Sequence, residues 1–557
     1  MSAGLRMPLS TLGSLLQTPN SSTAVPPRGR DQAAGRADHR SGPLTPIPRA
    51  VRHSARPNKT GSGNRSAFKA RSTSALPPKT TSPPLYERQL SRSSMGQQHD
   101  EAEPEDFSLS IRDPALRQQR KQAAKAVVMA SILMTVAVWA CLSIFWGSTY
   151  LLEHYFPNAK VYVYDFDSAA NANPLLGPYV VNFMESTLSQ PVHMGVIIRD
   201  TAGKTLADVE NEIVNEKAWA AIVINSNATT MFQEALAGTG GLLAGEYAPK
   251  GAISLLSVGA RWFQVVDEYI FPFLTQYMQT PTLEASHAAA ANYLSTATPA
   301  QISALSQTQR AALATPFASQ ETDLRPIYDT QWSGSAPLEA GLIYYIIFAF
   351  HIALFLFFSR APLIQGVKSK GRRLTFISTL TLRFLPLLPV YLILSLSYSL
   401  INLAFLIPMD GNGHARFGPQ SGFMSKFIFA FFWMLNLMTL FALGLAMESM
   451  ITILTVKFIP FFLITWIILN ITSSFFPPTF MEHFYKYGYA MPFFHSTTGA
   501  KHIMWGARDR LGLNFGVLTA WTVLSICSLS LFEFFLRRKD IKRERKERAH
   551  DVEGRAE

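Results

Sequence analysis

Apolar residues in this chain come in blocks wide enough to cross a bilayer, separated by stretches with a different rhythm. The blocks are Ala126–Trp146, Leu338–Ser359, Phe384–Ile407, Phe427–Met447, Phe458–Ile471 and Phe515–Leu536. About 20 apolar residues at helical rise match the hydrocarbon core of a membrane, so each block predicts a spanning helix. The fifth is the shortest, cut back by Lys457 and Pro460. Residues 149–337 alternate differently. Short β-rich runs at Val161–Phe166, Val192–Ile198 and Ala220–Ile224, with a further one at Ile253–Val258, are interleaved with helical patterns. Those helical patterns are Gly177–Leu188, Leu206–Lys217, Ala228–Leu236, Phe263–Met278 and Ala285–Leu294. Strand–helix alternation of this kind predicts a small α/β domain with parallel strands.

Charge then orients the helices. The formal net charge of +12 is concentrated in residues 1–125, in the loop from Arg360 to Arg383 and in the last twenty residues. Each basic block leads up to or follows an apolar run, which is the positive-inside pattern. Arg117, Arg120, Lys121 and Lys125 hold the N-terminus in the cytosol, and counting crossings places both the Arg360–Arg383 loop and Arg537–Lys539 on the same side. The expectation is an α-helical integral membrane protein with six transmembrane helices and both termini cytosolic. An extracytoplasmic α/β domain is inserted between the first and second helices. The division runs 1–105 as a disordered basic tail, 126–147 as the first helix, 149–337 as the outer domain, 338–536 as a five-helix membrane domain and 537–557 as a basic tail. The tail assignment rests on Ser, Pro, Arg, Thr and Gly in place of aromatic residues, a composition that cannot bury enough surface to offset chain entropy. Residues 475–514 are too apolar for an ordinary loop. Tyr485, Tyr487, Tyr489 and Trp505 suit a membrane interface there, so this stretch reads as interfacial or re-entrant.

Composition agrees: 48% of residues are hydrophobic and 16% charged, against about 25% charged in soluble proteins. The basic balance does not point to nucleic acid, because its placement follows the membrane and no base-reading motif accompanies it. Cys141 and Cys527 both fall in apolar runs and read as small core residues, not as a disulfide or zinc pair. No phosphate-binding GxxxxGK[ST] loop, HExxH or nucleophile–base set occurs, so the chain reads as neither an ATPase nor an enzyme, with no cofactor or metal. Gly411-Asn412-Gly413 after Asp410 reads as a turn. His483, His495 and His502 read as interfacial side chains meeting water and headgroups. Polar residues inside the apolar runs are the better candidates, since burying them in lipid is costly. They are His351, Asn402, Asn436 and Glu533, with Glu448, Lys457 and Asn470 nearer the ends. They serve either as a polar path between helices or as interhelical hydrogen bonds, and Lys457 is placed to meet Glu448. Asn227-Ala228-Thr229 is a glycosylation sequon after a strand, though matches at Asn20, Asn58 and Asn64 in the tail show how readily chance supplies them.

A further group of residues carries a likeness. It comprises Tyr164-Asp165-Phe166-Asp167, Gly177-Pro178, and the run from Trp219 through Asn225 and Asn227 to Thr230. Near the last span lie Tyr487-Gly488-Tyr489-Ala490-Met491-Pro492 and Leu511–Gly516. Over about residues 125–540 the chain resembles the fungal nitrosoguanidine-resistance membrane proteins, a family sharing a domain of unknown function and similar to the membrane part of ABC-2-type transporters. The resemblance implies a permease-like body linked to resistance to toxic compounds and to lipid organisation, with a small toxic compound or phospholipid as substrate. By the same analogy the chain is a homodimer at the plasma membrane, with endosomal or vacuolar membrane as the alternative. His495 stands where that pattern leads one to expect Tyr-Asn. On the residues themselves, Asp165 and Asp167 share one face of a strand and serve a turn, a helix cap or a polar partner. Gly177-Pro178 opens a helix. Asn227 caps the helix that follows it. A second reading of the whole is a non-transporting scaffold whose outer domain binds a partner and whose basic tails hold anionic lipid.

Overall fold

The computed structural model describes residues 110–238, 247–327, 336–405, 407 and 427–556. The N-terminal tail with its three sequons and the Asp410–Gly413 turn lie outside the described residues. The chain from Phe107 onward forms one compact unit.

The chain enters on α1 (Arg117–Ser148), a 32-residue helix whose apolar face is largely uncovered. The sheet domain follows. Its strands are β1 (Lys160–Asp165), β2 (Gly195–Arg199), β3 (Ala220–Ile224), β4 (Ile253–Ser257) and β5 (Ser319–Asp323), in the order β2-β1-β3-β4-β5. The first three pair in parallel, as the alternation predicts, and β4 pairs with β5 in parallel. The β3–β4 pair is antiparallel, so the expected parallel pairing holds for three of the four strand pairs and the sheet is mixed. The reason lies in the connections. β2 and β3 are each reached from the strand before through a helical crossover, whereas the chain from β3 returns beside it in the opposite sense. β5 escapes sequence reading because Ser-Gln-Glu-Thr-Asp has no apolar alternation; it forms by pairing with buried β4.

The helices of this domain are α2 (Phe166–Ala170), α3 (Gly177–Thr187), α4 (Leu206–Val214), α5 (Ala228–Ala237), α6 (Phe271–Thr296), α7 (Pro299–Ser303) and α8 (Gln307–Ala314). Local chemistry sets their ends. Thr205 and Asp208 form a capping box on α4, and Gly238, at φ 68°, closes α5 in the left-handed conformation that glycine adopts without strain. The two helices expected at Phe263–Met278 and Ala285–Leu294 are mostly one, α6, which continues through Pro281.

Four more long helices complete the bundle: α9 (Ala340–Ser369), α10 (Phe376–Phe384) with α11 (Leu387–Ala404), α12 (Ile428–Phe475) and, after α13 (Pro492–Trp505), α14 (Leu511–Ala556). Counting α10–α11 as one, the described residues hold five helices long and apolar enough to cross a membrane. The fourth and fifth predicted runs both lie in α12, whose 48 residues would span over twice the roughly 30 Å of a hydrocarbon core. α12 is interrupted at Thr455, whose φ of 63° and ψ of 168° are not helical. Before the break, Asn436 and Glu448 face α9 and α11. After it, Thr465 meets Cys141 of α1, Trp466 packs on Trp521 of α14, and Phe475 accepts a hydrogen bond from Trp262 of the sheet domain. Ile428, at the other end of α12, belongs to a buried cluster that also holds sheet residues such as Leu256. Both ends of α12 therefore lie against the sheet domain.

The stretch read as interfacial or re-entrant joins the two halves of the structure. Short 3-10 turns at Pro478–Phe480 and His483–Ala490 lead into α13, where twelve residues are buried. Phe480 and Tyr485 enter the core beneath the sheet with Trp219, and Ile503 and Trp505 enter a second core with Leu256 and Phe432. Much of the apolar character of this stretch is used for protein contact.

Candidate functional site

At the end of the bundle remote from the sheet, four helices converge on one carboxylate. Glu448 of α12 has 0% exposure. Its Oε1 accepts from Arg360 of α9 at 2.6 Å and from Arg383 of α10 at 3.2 Å. Arg383 also donates to Thr452 Oγ1 at 2.7 Å and pairs with Glu533 of α14 at 2.9 Å. Two guanidinium groups and two carboxylates thus balance formally. Balance is what makes the burial tolerable, because an unpaired ion away from water costs several kcal/mol. The pairing is incomplete in hydrogen bonds: Glu448 Oε2 and one guanidinium nitrogen of Arg360 are buried without a partner. A cavity of about 290 Å³ opens onto this cluster, lined by Lys368, Arg372, Arg383 and Arg537 with Glu533 and Asp540 among others.

The polar residues singled out in the sequence divide into three groups. Glu448 and Glu533 belong to the ion cluster. Asn402 and Asn436 lie near one another through Ser399. Asn436 donates to Ser399 Oγ at 3.0 Å, and Asn402 donates to the Tyr398 carbonyl one turn back in α11. His351 and Lys457 join neither. His351 is exposed and bonds the Ile347 carbonyl of its own helix. Lys457 is exposed, with its ammonium 5.5 Å from the Phe458 ring, so the expected meeting with Glu448 does not occur. The arginines take that place because α9 and α10 bring them to the level of Glu448, whereas Lys457 lies beyond the break at Thr455. Asn470 caps the connection to α13, accepting from the Phe493 amide at 3.3 Å.

In the sheet domain the motif residues build the fold. β1 ends at Asp165, so Asp165 and Asp167 do not share a strand face as expected. Asp165 caps α2 through the Ser168 amide, and Asp167, fully buried, caps α5 by accepting from the Thr229 amide at 3.0 Å and hydroxyl at 2.7 Å. Asn227 occupies the cap position of α5, but its side chain makes no capping bond; its amide meets Met231 Sδ. Asp167 displaces it in that role. Asn227 remains exposed, while the Thr229 hydroxyl of the same sequon is buried. Asn225 ties β3 to the Gly251 carbonyl and Ser254. Gly177, followed by Pro178 at the start of α3, leaves room for the Asp165 carboxylate, which any Cβ there would strike. Gly488 likewise lets its turn approach Ser473. The Tyr487 hydroxyl is buried without a partner, Tyr489 packs edge-on to Phe494, and Pro492 begins α13. Among the described residues no three His, Cys, Asp or Glu side chains gather as metal ligands. His483 meets Lys486, His495 bonds Asn514 and the Tyr489 carbonyl, and His502 bonds the Ala507 carbonyl.

Arg360 and Arg383 entered the sequence reading only as loop charges. The missed signal is that each abuts an apolar run, within reach of a carboxylate in another.

Several long apolar helices joined to an α/β sheet domain, with ionised side chains buried in the bundle, define a multi-pass membrane protein. Residues 130–527 match the DUF3533 family, described as a protein of unknown function, and the chain belongs to that family. It is 22% identical over 467 residues to the uncharacterized endoplasmic reticulum membrane protein YJR015W of Saccharomyces cerevisiae, an alignment covering 77% of this chain and 84% of the relative. No solved structure matches the chain.

Proposed function

We propose that the protein is a permease-like carrier that contributes to resistance to toxic compounds of the nitrosoguanidine type. It acts by exporting them or by altering the distribution of membrane lipid. The observation that carries this reading is the Arg360–Glu448–Arg383–Glu533 cluster, buried in the bundle and opening onto a charged cavity. Ionised groups kept inside a membrane protein are costly, and their usual uses are pathways and gates. In this reading α12 crosses twice, reversing at Thr455, which gives six crossings and places the ion cluster and both termini on the cytosolic side. The sheet domain is then extracytoplasmic. The protein is no enzyme and uses no nucleotide itself; its partners are membrane lipid, the exported compound and a second copy of the chain, with no nucleic acid. The plasma membrane is the proposed location. The endoplasmic reticulum named for the yeast relative is the alternative.

A second reading is a scaffold or regulator whose outer domain binds a partner. The bonding of His351 and Asn402 to their own helices favours it, since neither reaches across toward a shared path. Growth separates the two. Cells lacking the gene should become sensitive to a nitroso compound, and the full chain should restore resistance while Glu448→Gln at equal membrane level should not. Full rescue by Glu448→Gln would remove the cluster from the mechanism and favour the scaffold.

A further inference from the structure

A second charged site lies at the opposite end of the bundle, where α13 meets the sheet domain. A cavity of about 80 Å³ sits there, roughly five times the ~15 Å³ that one water requires. Its lining brings four cations, Arg261, Lys501, Arg508 and Arg510, together with a single carboxylate, Glu216. That carboxylate is already held by Arg510 at 3.2 Å.

The two inner cations are unusual in their partners. Lys501 is 3% exposed; its ammonium donates to the Arg261 carbonyl at 3.0 Å and lies 3.6 Å from the centre of the Trp262 ring. Arg261 donates to the Ala218 carbonyl at 2.8 Å and lies 3.6 Å over Trp219. Among the described residues neither has a carboxylate within ion-pair distance. Glu339, the other nearby acid, bonds Gln264. A buried ammonium held only by a carbonyl and a ring face is under-compensated. Burial pushes the Lys501 pKa down to about 7, with Arg261 pressing the same way and Glu339 and Glu216 only partly opposing it.

The arrangement selects the sign of a ligand. Arg261 and Lys501 already cover the faces of Trp219 and Trp262, so the aromatic walls are not open to a cationic headgroup. What is missing is negative charge with several acceptor oxygens, since a lysine ammonium has three donors and a guanidinium five. We propose that this cavity binds a phosphate-type oxyanion, with Lys501 and Arg261 holding it from within and Arg508 closing on it from the exposed rim. The anion has two natural sources, a phospholipid headgroup or free phosphate. This inference stands independently of the carrier reading, because it draws on none of the residues of the Glu448 cluster.

The test uses the purified full-length chain in nanodiscs of phosphatidylcholine alone, titrated with inorganic phosphate or with chloride, and in nanodiscs containing phosphatidic acid. Thermal unfolding and calorimetry read the binding. Phosphate but not chloride should stabilise the protein if free phosphate is the source. Stabilisation by phosphatidic acid alone would assign the headgroup. In either case Lys501→Met should weaken binding by about tenfold or more, the usual cost of losing a charge-assisted hydrogen bond. Arg508→Ala, at an exposed position that leaves folding intact, should weaken it several-fold. Stabilisation by chloride equal to that by phosphate, no response to either source, or binding unchanged in Arg508→Ala and in folded Lys501→Met would overturn the assignment.

Discussion

Replacing Glu448 by Gln keeps the shape of the side chain and removes its charge. In the native cluster Glu448 Oε1 is shared by Arg360 at 2.6 Å and Arg383 at 3.2 Å. After substitution Arg383 keeps Glu533 and Thr452, so its charge stays compensated. Arg360 keeps no carboxylate in the cluster, and one of its nitrogens is already unpartnered. Removing one partner of a buried ion pair typically costs about 3–5 kcal/mol. The amide retains a carbonyl acceptor for Arg360, which places the expected cost near the lower end, about 3 kcal/mol. Denaturant titration of the purified protein, followed by helical circular dichroism, measures it. A double-mutant cycle with Arg360→Gln isolates the pair: the double variant should be more stable than the sum of the single losses implies, by about 1–3 kcal/mol. If Glu448→Gln unfolds within about 0.5 kcal/mol of the native chain, the effect usual for a surface change, the cluster is solvated and the reasoning fails. Simple additivity in the double variant would refute the direct pairing.

Other substitutions test the local arguments. Thr455 sits at φ 63° and ψ 168°, a region that glycine alone enters readily, so Thr455→Gly should stabilise the chain by about 1 kcal/mol in the same titration; a loss of stability would mean that Thr455 is not strained. Asp167→Ala removes the cap from α5 and leaves Thr229 unsatisfied, which should cost about 1–2 kcal/mol and speed proteolysis of the sheet domain, whereas unchanged cleavage would argue against the cap. The Glu212 carboxyl gives a pH dependence. Burial alone would raise its pKa, but hydrogen bonds from Tyr164, Lys204 and Lys217 outweigh this and hold it at about 2, against an ordinary 4.5. Because the folded value is the lower one, the stability it contributes is present above pH 4.5 and is lost as pH falls toward 2; Glu212→Gln should flatten thermal stability across that window, and an unchanged slope would contradict the assignment.

The sequence carried the membrane blocks and the first four strands because each has a strong local signal. Val161 to Asp165 and Ala220 to Ile224 announce buried strands by composition alone. The two apolar runs on either side of Thr455 were legible, with Lys457 and Pro460 marking a boundary, but the single non-helical residue that separates them was not, because one backbone conformation decides it. β5 was not legible because its stability comes from its partner β4 rather than from its own residues. The sites followed the same division. Glu448 and Glu533 stood out as charges in apolar runs. Their partners, Arg360 and Arg383, are separated from Glu448 by 88 and 65 residues and looked like topology signals. Lys501 and Arg261 lie 240 residues apart and meet only when α13 is folded beneath the sheet. The cavity they share is a tertiary product, although Trp219 and Tyr489, which also line it, were already marked by motif.

Flux tests the central claim most directly. Cells with and without the gene are loaded with a labelled nitroso compound, and its efflux is followed alongside the uptake of a fluorescent phospholipid. The account predicts that loss of the gene slows efflux, or changes lipid uptake with compound accumulation following it, and that the full chain reverses the change. Identical efflux and lipid uptake in the two strains, with the chain verified in the membrane, would contradict it.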